Sequence, residues 1–333
     1  MSAADGAAAT ALPRRGGGGD DLRAVLADYG GMALVLLLLV TVFGVSAPHF
    51  FSVTTFRTIA NQIPDALLVA VGMTFVLLVG GIDLSVGSVL ALGGTVLGVC
   101  LVRWNLPLPV AVAACLATGA LCGLANGWTT VRWSLPSFIV TLGMLEIARG
   151  AAYLVAGGRT QYIGARVEGI AEASVFGLSL PFLLALGAVV LGQIVLTQTV
   201  WGRHVRAVGA NEEAVRLSGV DTRRVRASVF VLSGTLAALA AVVNVARLAS
   251  ADPNAGSGFE LQAIAAVVIG GTSLLGGRGS VVRSLLGVLL IAVLGNGLAQ
   301  VGAQEPVKRL VTGAVIVIAV ILDYYRRRGE QGR

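Results

Sequence analysis

The sequence predicts an all-α, polytopic membrane protein with about ten transmembrane helices. Hydrophobic residues make up 56% of its 333 residues and charged residues only 12%, whereas soluble domains carry about 25% charged residues. The apolar residues fall in runs of ~20, the length that a helix needs to cross a bilayer. Such a chain cannot bury its apolar surface in one aqueous core, so lipid must cover much of it.

The apolar runs define the candidate spans in chain order. They are Tyr29–Ala47, Ile59–Gly80, Leu84–Val102, Pro107–Val131, Leu135–Ala156, Leu178–Val200, Val225–Ala249, Phe259–Leu275, Val281–Val301 and Val307–Tyr325. Residues 29–325 thus form one transmembrane domain. Residues 1–28, with their Ala and Gly runs, are expected to be a disordered tail, and residues 326–333 a basic tail.

The placement of arginine predicts the orientation of the chain. Ten spans put both termini on one side, and that side also receives the long loop 201–226 with six of the Arg residues. Arginine-rich loops stay in the cytoplasm, so both termini and loop 201–226 are predicted to be cytoplasmic. The net charge of +7 reflects this bias, and no basic patch with aromatic residues suggests a nucleic-acid partner.

Catalytic and cofactor motifs are missing from the sequence. Lys308 is the only lysine, and it lies between Val307 and Arg309, so the chain lacks the Gly-Lys-Ser/Thr of a phosphate-binding loop. His49 and His204 have no metal-ligating neighbours at helical spacing. We therefore expect no catalytic residue, no metal and no cofactor in this chain, and a role in transport.

Polar residues within the predicted spans are candidates for a translocation path, because ionisable groups in lipid are costly unless they are paired or wetted. We single out Asp83, Ser85, Asn126, Glu146 and Arg149. Asp83 is expected to cap the start of the third span, to line a path at a helix break, or to do both. Glu146 and Arg149 are three residues apart, so they either form a structural ion pair or face the path.

Glycine spacing predicts helix packing. Gly119, Gly123 and Gly127 recur every four residues on one face of the fourth span, where they allow a second backbone to come close. The segments Gly80–Val89 and Gly270–Val281 also resemble each other, and each lies where one span passes to the next. They are candidates for broken helices at equivalent places of an internal repeat.

Four long segments resemble one known family. They are GGIDLSVGSVLALGG (Gly80–Gly94), LPSFIVTLGMLEIARG (Leu135–Gly150), GRHVRAVGANEEAVRLSGV (Gly202–Val220) and GFELQAIAAVVIGGTSLLGGRGSV (Gly258–Val281). Together they are similar to permeases of the sugar-type ABC importers, the ribose, xylose, arabinose and galactose group. The matches occur in the same order and extend over residues 30–325.

The resemblance implies a permease subunit in the cytoplasmic membrane of a prokaryote that moves a pentose or hexose. It implies three partners: ATPase subunits that bind the ATP, an extracytoplasmic sugar-binding protein, and a second permease subunit, expected to be a second copy of this chain. It also implies a loop helix that docks into the ATPase. The residues that match this helix are Asn211, Glu212, Glu213, Ala214 and Gly219.

Two other functions stay open at this level. The first is a branched-chain amino-acid permease of the same superfamily, although the Asp-Leu-Ser-Val-Gly run favours sugar. The second is a self-contained secondary transporter, which would need a coupling-ion site and would leave the Glu213 loop without a role.

Overall fold

The computed structural model describes residues 18–175 and 177–331, which form fourteen α-helices and four strands of two residues each. The helices are α1 (Gly18–Ser46), α2 (Val53–Gln62), α3 (Pro64–Leu78), α4 (Val86–Val102), α5 (Leu108–Arg132), α6 (Ser137–Ala156), α7 (Ala165–Glu172), α8 (Leu180–Gln198), α9 (Val200–Ala210), α10 (Glu212–Leu217), α11 (Thr222–Leu248), α12 (Phe259–Ile269), α13 (Val281–Gln300) and α14 (Glu305–Gln331). The strands are β1 (Gln161–Tyr162), β2 (Ser174–Val175), β3 (Leu178–Ser179) and β4 (Ser250–Ala251).

The helices support the predicted fold class. Within the described residues, five helices are long and apolar enough to cross a membrane, namely α5, α6, α8, α11 and α13. Together, α2 and α3 are also long and apolar enough to be a sixth candidate span, with a bend of 47° where Pro64 begins α3. The chain is therefore an all-α polytopic membrane protein. The count of ten spans and the cytoplasmic termini stay predictions.

The structure corrects two predicted boundaries. The first helix begins at Gly18, so the predicted tail 1–28 is helical from that residue, because Leu22–Ala27 consists mostly of good helix formers. Residues 1–17 lie outside the described residues.

At the eighth span, α12 ends at Ile269 because two glycines follow it. Its 11 residues extend only about 17 Å, too short to cross a bilayer core of about 30 Å.

The basic segment predicted after Tyr325 continues α14 as far as Gln331. Residues 332–333 lie outside the described residues. Between the helices, β1 pairs with β4 in an antiparallel manner, with Gln161 opposite Ala251. This pairing ties the connection that follows α6 to the end of α11, while β2 and β3 form a small hairpin before α8.

The helices α5 and α11 pack closely along the predicted glycine face. A Cβ on Gly123 would lie 2.2 Å from the carbonyl oxygen of Phe230, and one on Gly119 would lie 2.2 Å from that of Gly234. A Cβ on Gly127 would lie 2.8 Å from the Cα of Ala227. The missing side chains let the two backbones touch, which is how van der Waals packing holds helices together in lipid.

We predict that Gly123→Ala lowers the folded yield and the detergent-solubilised Tm, because its methyl group would force α5 away from α11. Overpacking of this kind costs about 1–3 kcal/mol. The matched control is Gly187→Ala in α8, where no described atom lies within 4 Å of a new Cβ. The control should match or exceed the wild-type Tm, because alanine favours a helix interior. Equal Tm values for the two variants would contradict the close packing.

Candidate functional site

The connection between α3 and α4 is a helix break that α6 supports. Residues 79–85 are not helical, so they leave backbone groups without helical partners. The hydroxyl oxygen of Ser137 accepts from the backbone N–H of Ile82 at 2.9 Å, and that of Thr141 accepts from Leu84 at 3.0 Å. Ser137 and Thr141 are four residues apart and so share one face of α6. Neither residue was predicted from the sequence, although their four-residue spacing indicates a shared face of the helix.

Three of the predicted path residues meet at this break. The carboxylate of Asp83 is 1% exposed and accepts from the backbone N–H of Ser85 at 3.0 Å and from its hydroxyl at 2.6 Å. Its second oxygen accepts from Ser233 of α11 at 2.9 Å. Asn126 of α5 donates to the Ser85 hydroxyl at 2.9 Å. This network joins α4, α5 and α11 around the break.

The same network shows that Asp83 does not cap α4. Ser85, not Asp83, occupies the N-cap position of α4, and Asp83 instead bonds the N–H two residues ahead of it, as in an Asx-turn. Its neighbours enclose it almost completely. Asp83, Ser85 and Asn126 therefore shape the break, and a direct role for them in the path stays a prediction.

Arg149 supports a second irregular segment. Its guanidinium donates to the carbonyl oxygens of Pro253 at 2.6 Å and Ala255 at 2.9 Å. Those residues belong to the connection between β4 and α12. In the same connection, Gly256 packs directly against Gly87 of α4, because a Cβ on Gly87 would lie 2.2 Å from the Gly256 carbonyl oxygen. The connection therefore reaches the first turn of α4.

Glu146 does not pair with Arg149, so the interpretation as a structural ion pair was wrong. No ion pair between them occurs among the described residues, because Arg149 is already engaged by the backbone of the connection. The Glu146 side chain is exposed on α6. Gly143 and Gly150 lie on the same side of this helix, and both have open space where a Cβ would be.

An ion pair with a buried acid and a partly exposed base joins α3 to α11. Asp65 is 1% exposed, and one of its carboxylate oxygens accepts from Arg247 at 2.8 Å and from Asn244 at 2.9 Å. The sequence alone did not single out Asp65 or connect it with Arg247. The sequence does indicate such a pairing, because an acid and a base in two different membrane spans each need a partner in lipid.

The predicted docking residues form a short capped helix. The side chain of Asn211 accepts from the backbone N–H of Ala214 at 3.0 Å, which caps α10, and Glu212 and Glu213 occupy its first turn. Gly219 follows the helix with a φ of +85°, the left-handed region that favours glycine.

Ion pairs support both acids of α10. Arg216 binds Glu213 at 2.7 Å, and this hydrogen bond lowers the pKa of the Glu213 carboxylate, so it stays ionised at neutral pH. Arg226 of α11 binds Glu212 at 3.0 Å. The acidic first turn of α10 is therefore attached to the start of α11, while Leu217 at its other end is 78% exposed.

The two glycine-rich segments that resemble each other meet beside α9. The backbone N–H of Gly277 donates to the carbonyl oxygen of Leu78 at 2.9 Å. A Cβ on Gly276 would lie 3.0 Å from the N of Gly80, and one on Gly209 would lie 1.7 Å from the Leu78 carbonyl oxygen. The end of α9 thus packs against both breaks at one junction, and α10 follows α9 directly.

Comparison with known proteins places the chain in a family. The family described as "Branched-chain amino acid transport system / permease component" matches residues 55–320. This protein belongs to that family. No solved structure matches the chain.

Among the described residues, no group of three or more His, Cys, Asp or Glu could hold a metal ion.

Curated relatives match over nearly their whole length. The chain is 39% identical to the ribose import permease protein of Escherichia coli (strain K12) over 296 residues, which cover 87% of this chain and 92% of the relative. It is 38% identical to the fructose import permease protein of Rhizobium meliloti, covering 89% and 85%. It is 32% identical to the L-arabinose ABC transporter permease protein of Azospirillum brasilense, covering 91% and 89%.

We predict a graded response to changes at Asp83. Asp83→Ala should lower the Tm strongly, because three buried donors lose their acceptor at about 1–3 kcal/mol each. Asp83→Asn should lower it less, because the amide oxygen can still accept both bonds from Ser85. The control Asp221→Asn, at the exposed cap of α11, should leave the Tm unchanged. A wild-type Tm for Asp83→Ala would contradict the role of the network.

Proposed function

We propose that this chain is the transmembrane permease subunit of an ATP-binding-cassette importer that carries a monosaccharide into the cell. The observation that carries the proposal is the similarity to ribose, fructose and arabinose permeases over 85% or more of each chain. The sugar is a ribose-like pentose or a hexose. An extracytoplasmic binding protein delivers it, and the chain lies in the cytoplasmic membrane with about ten spans and both termini in the cytoplasm.

The energy for import comes from a separate ATPase. The sequence has no phosphate-binding loop, since its one lysine, Lys308, has no neighbouring Gly and Ser/Thr. The chain therefore binds no ATP in this way and acts as a transport subunit, not an enzyme. ATP hydrolysis in the partner must reach the membrane helices through a contact between the two chains.

The α9–α10 segment, Val200–Leu217, is suited to be that contact. α10 presents ionised Glu213 and the exposed Leu217 to a partner. α9 leads from there to the junction at which Gly209 packs against Leu78 and Gly276. A displacement of α10 by the ATPase would therefore be transmitted to both helix breaks, because the backbone contacts between them are closely packed.

The exposed side of α6 is suited to face the path and a second copy of this chain. Glu146 is exposed there although α6 is one of the apolar spans, and an ionisable group facing lipid would be costly. Gly143 and Gly150 lie beside it with open space and would let another helix come close. In a homodimer this side of each copy would enclose water, with Arg149 and the Pro253–Ala255 backbone next to it.

The relatives favour sugar over the alternative of a branched-chain amino acid. The description of the matching family names branched-chain amino-acid transport, but the curated relatives that match over most of their length are permeases for ribose, fructose, D-allose and L-arabinose. A self-contained secondary transporter is not favoured either, because Asp65 and Asp83 are both engaged by protein donors and leave no free acid cluster for a coupling ion among the described residues.

The uptake experiment that tests the proposal uses proteoliposomes. The chain is reconstituted with its ATPase and binding protein, and uptake of D-ribose, D-fructose, D-allose, L-arabinose and L-leucine is measured with ATP inside. We expect uptake of at least one sugar, none of leucine, and none without ATP or without the ATPase. Sugar uptake by the chain alone, driven by an ion gradient, would contradict the proposal.

We predict that Gly219→Val leaves the bundle folded but weakens attachment of the ATPase or uncouples its hydrolysis from uptake. A β-branched residue at positive φ costs about 1–2 kcal/mol and would distort the end of α10. Gly302→Val is the matched control, because Gly302 also has a positive φ of +80° and open space around it but lies between α13 and α14.

Co-purification of the ATPase and sugar-stimulated hydrolysis in proteoliposomes are the two readouts. The Gly302 variant should retain both, and the Gly219 variant should lose one or both. If both variants behave like the wild-type chain, α10 is not the coupling element.

A further inference from the structure

We propose that a cavity of about 210 Å³ beside the Asp65–Arg247 ion pair is a monosaccharide subsite inside this chain. This inference rests on the proposed function and extends it, because it assigns sugar contacts to particular side chains. The cavity lies among α2, α3, α12 and α13, and Arg247 of α11 reaches it. It is separate from the Asp83 network and from the exposed side of α6.

The polar groups around the cavity have hydrogen-bonding capacity to spare. Arg247 uses one nitrogen for Asp65, and no other hydrogen bond of its guanidinium occurs within the described part of the chain. The side-chain amides of Gln62 and Gln262 line the cavity, and neither has a hydrogen-bond partner among the described residues. The side-chain oxygen of Asn296 accepts from the Gln300 amide at 2.9 Å, which leaves the NH₂ group of Asn296 available to the cavity.

Such a set of groups needs a hydrogen-bonding occupant. Amides and a guanidinium in a membrane-embedded chain are costly when they face hydrocarbon. The walls between them are apolar, with Phe259 and Ile291 among the lining residues. Apolar walls with a few convergent polar groups are typical of small-molecule sites.

The chemistry fits an uncharged polyol better than an ion or a lipid tail. Asp65 and Arg247 neutralise each other, so the cavity offers no net charge that would hold a free ion. Three amides and the remaining guanidinium donors match the hydroxyls of a sugar, and the ring of Phe259 provides a face for its C–H groups. A lipid tail could satisfy none of the amides.

The cavity is also connected to the segment that Arg149 supports. The connection Asp252–Gly258, held by Arg149 at Pro253 and Ala255, leads directly into Phe259 and Gln262 at the start of α12. A sugar that binds beside Gln262 would therefore contact the helix that follows the supported connection. The exposed side chains of Gln62 and Gln262 indicate that the cavity opens to the surface of the chain.

The test measures occupancy of the cavity independently of uptake. Cys100, Cys115 and Cys122 are replaced by alanine, and Ala292→Cys adds one thiol at the cavity wall. The transporter is assembled with its ATPase and binding protein, and the sugar that it takes up among D-ribose, D-fructose, D-allose and L-arabinose is identified first. The rate at which a small maleimide labels the new thiol is then measured against the concentration of that sugar.

We expect the transported sugar to slow labelling in a saturable manner. Gln262→Leu should raise the sugar concentration for half protection by about fivefold, the weakening expected from the loss of one net hydrogen bond. Asn296→Leu should act in the same direction and is a second, independent test if the first variant folds poorly. Gln198→Leu is the matched control, an exposed amide at the end of α8, and should change nothing.

Each result that differs from this expectation is decisive. Uptake of a sugar without any protection of the thiol would overturn the subsite and leave the proposed function standing. Equal half-protection concentrations for the Gln262, Asn296 and Gln198 variants would overturn it as well, as would a thiol that no maleimide reaches without sugar. A transporter that takes up none of the four sugars would overturn the proposed function and this inference together.

Discussion

Satisfying backbone hydrogen bonds away from water is the constraint on which this structure depends. Lipid offers no partners, so a helix break within the membrane is stable only where protein groups bind the freed N–H and C=O groups. Between α3 and α4, Ser137 and Thr141 bind the backbone of the break, and Asp83 is held by Ser85 and Ser233. This support keeps Gly80 in position to meet Gly276 and the end of α9.

Glycine has a different task at each place where backbones touch. Along α5 it removes side chains so that α11 can pack directly on the helix, since lipid gives helices no hydrophobic reason to associate. At the junction beside α9, Gly80, Gly276 and Gly277 have positive φ values of +71°, +90° and +75°, so they provide both the turn and the close approach. The first use packs two helices along their length, and the second brings three segments together at one junction.

The polar groups of the membrane domain fall into three environments with different consequences. Asp83 is enclosed and saturated, so it stabilises a shape. Glu146 is exposed on an apolar helix, so it requires water or a second chain beside it. Arg247 is paired but has donors left over, and it borders a cavity whose Gln62 and Gln262 amides have no partner among the described residues. Burial and hydrogen-bond saturation together separate a structural polar residue from one that is available to a substrate.

The sequence by itself determined the class of the protein, because the length of apolar runs, the glycine spacing and the capped Asn211 helix are local properties of the chain. The α5 face, the cap of α10 and the positive φ of Gly219 all follow from residues near one another in sequence. Only the tertiary structure decided which polar residues meet. Asp65 and Arg247 lie 182 positions apart, and Arg149 binds a connection more than 100 residues away instead of Glu146. Partners of this kind depend on how helices cross, and hydrophobic periodicity within one helix carries no information about the polar groups on another.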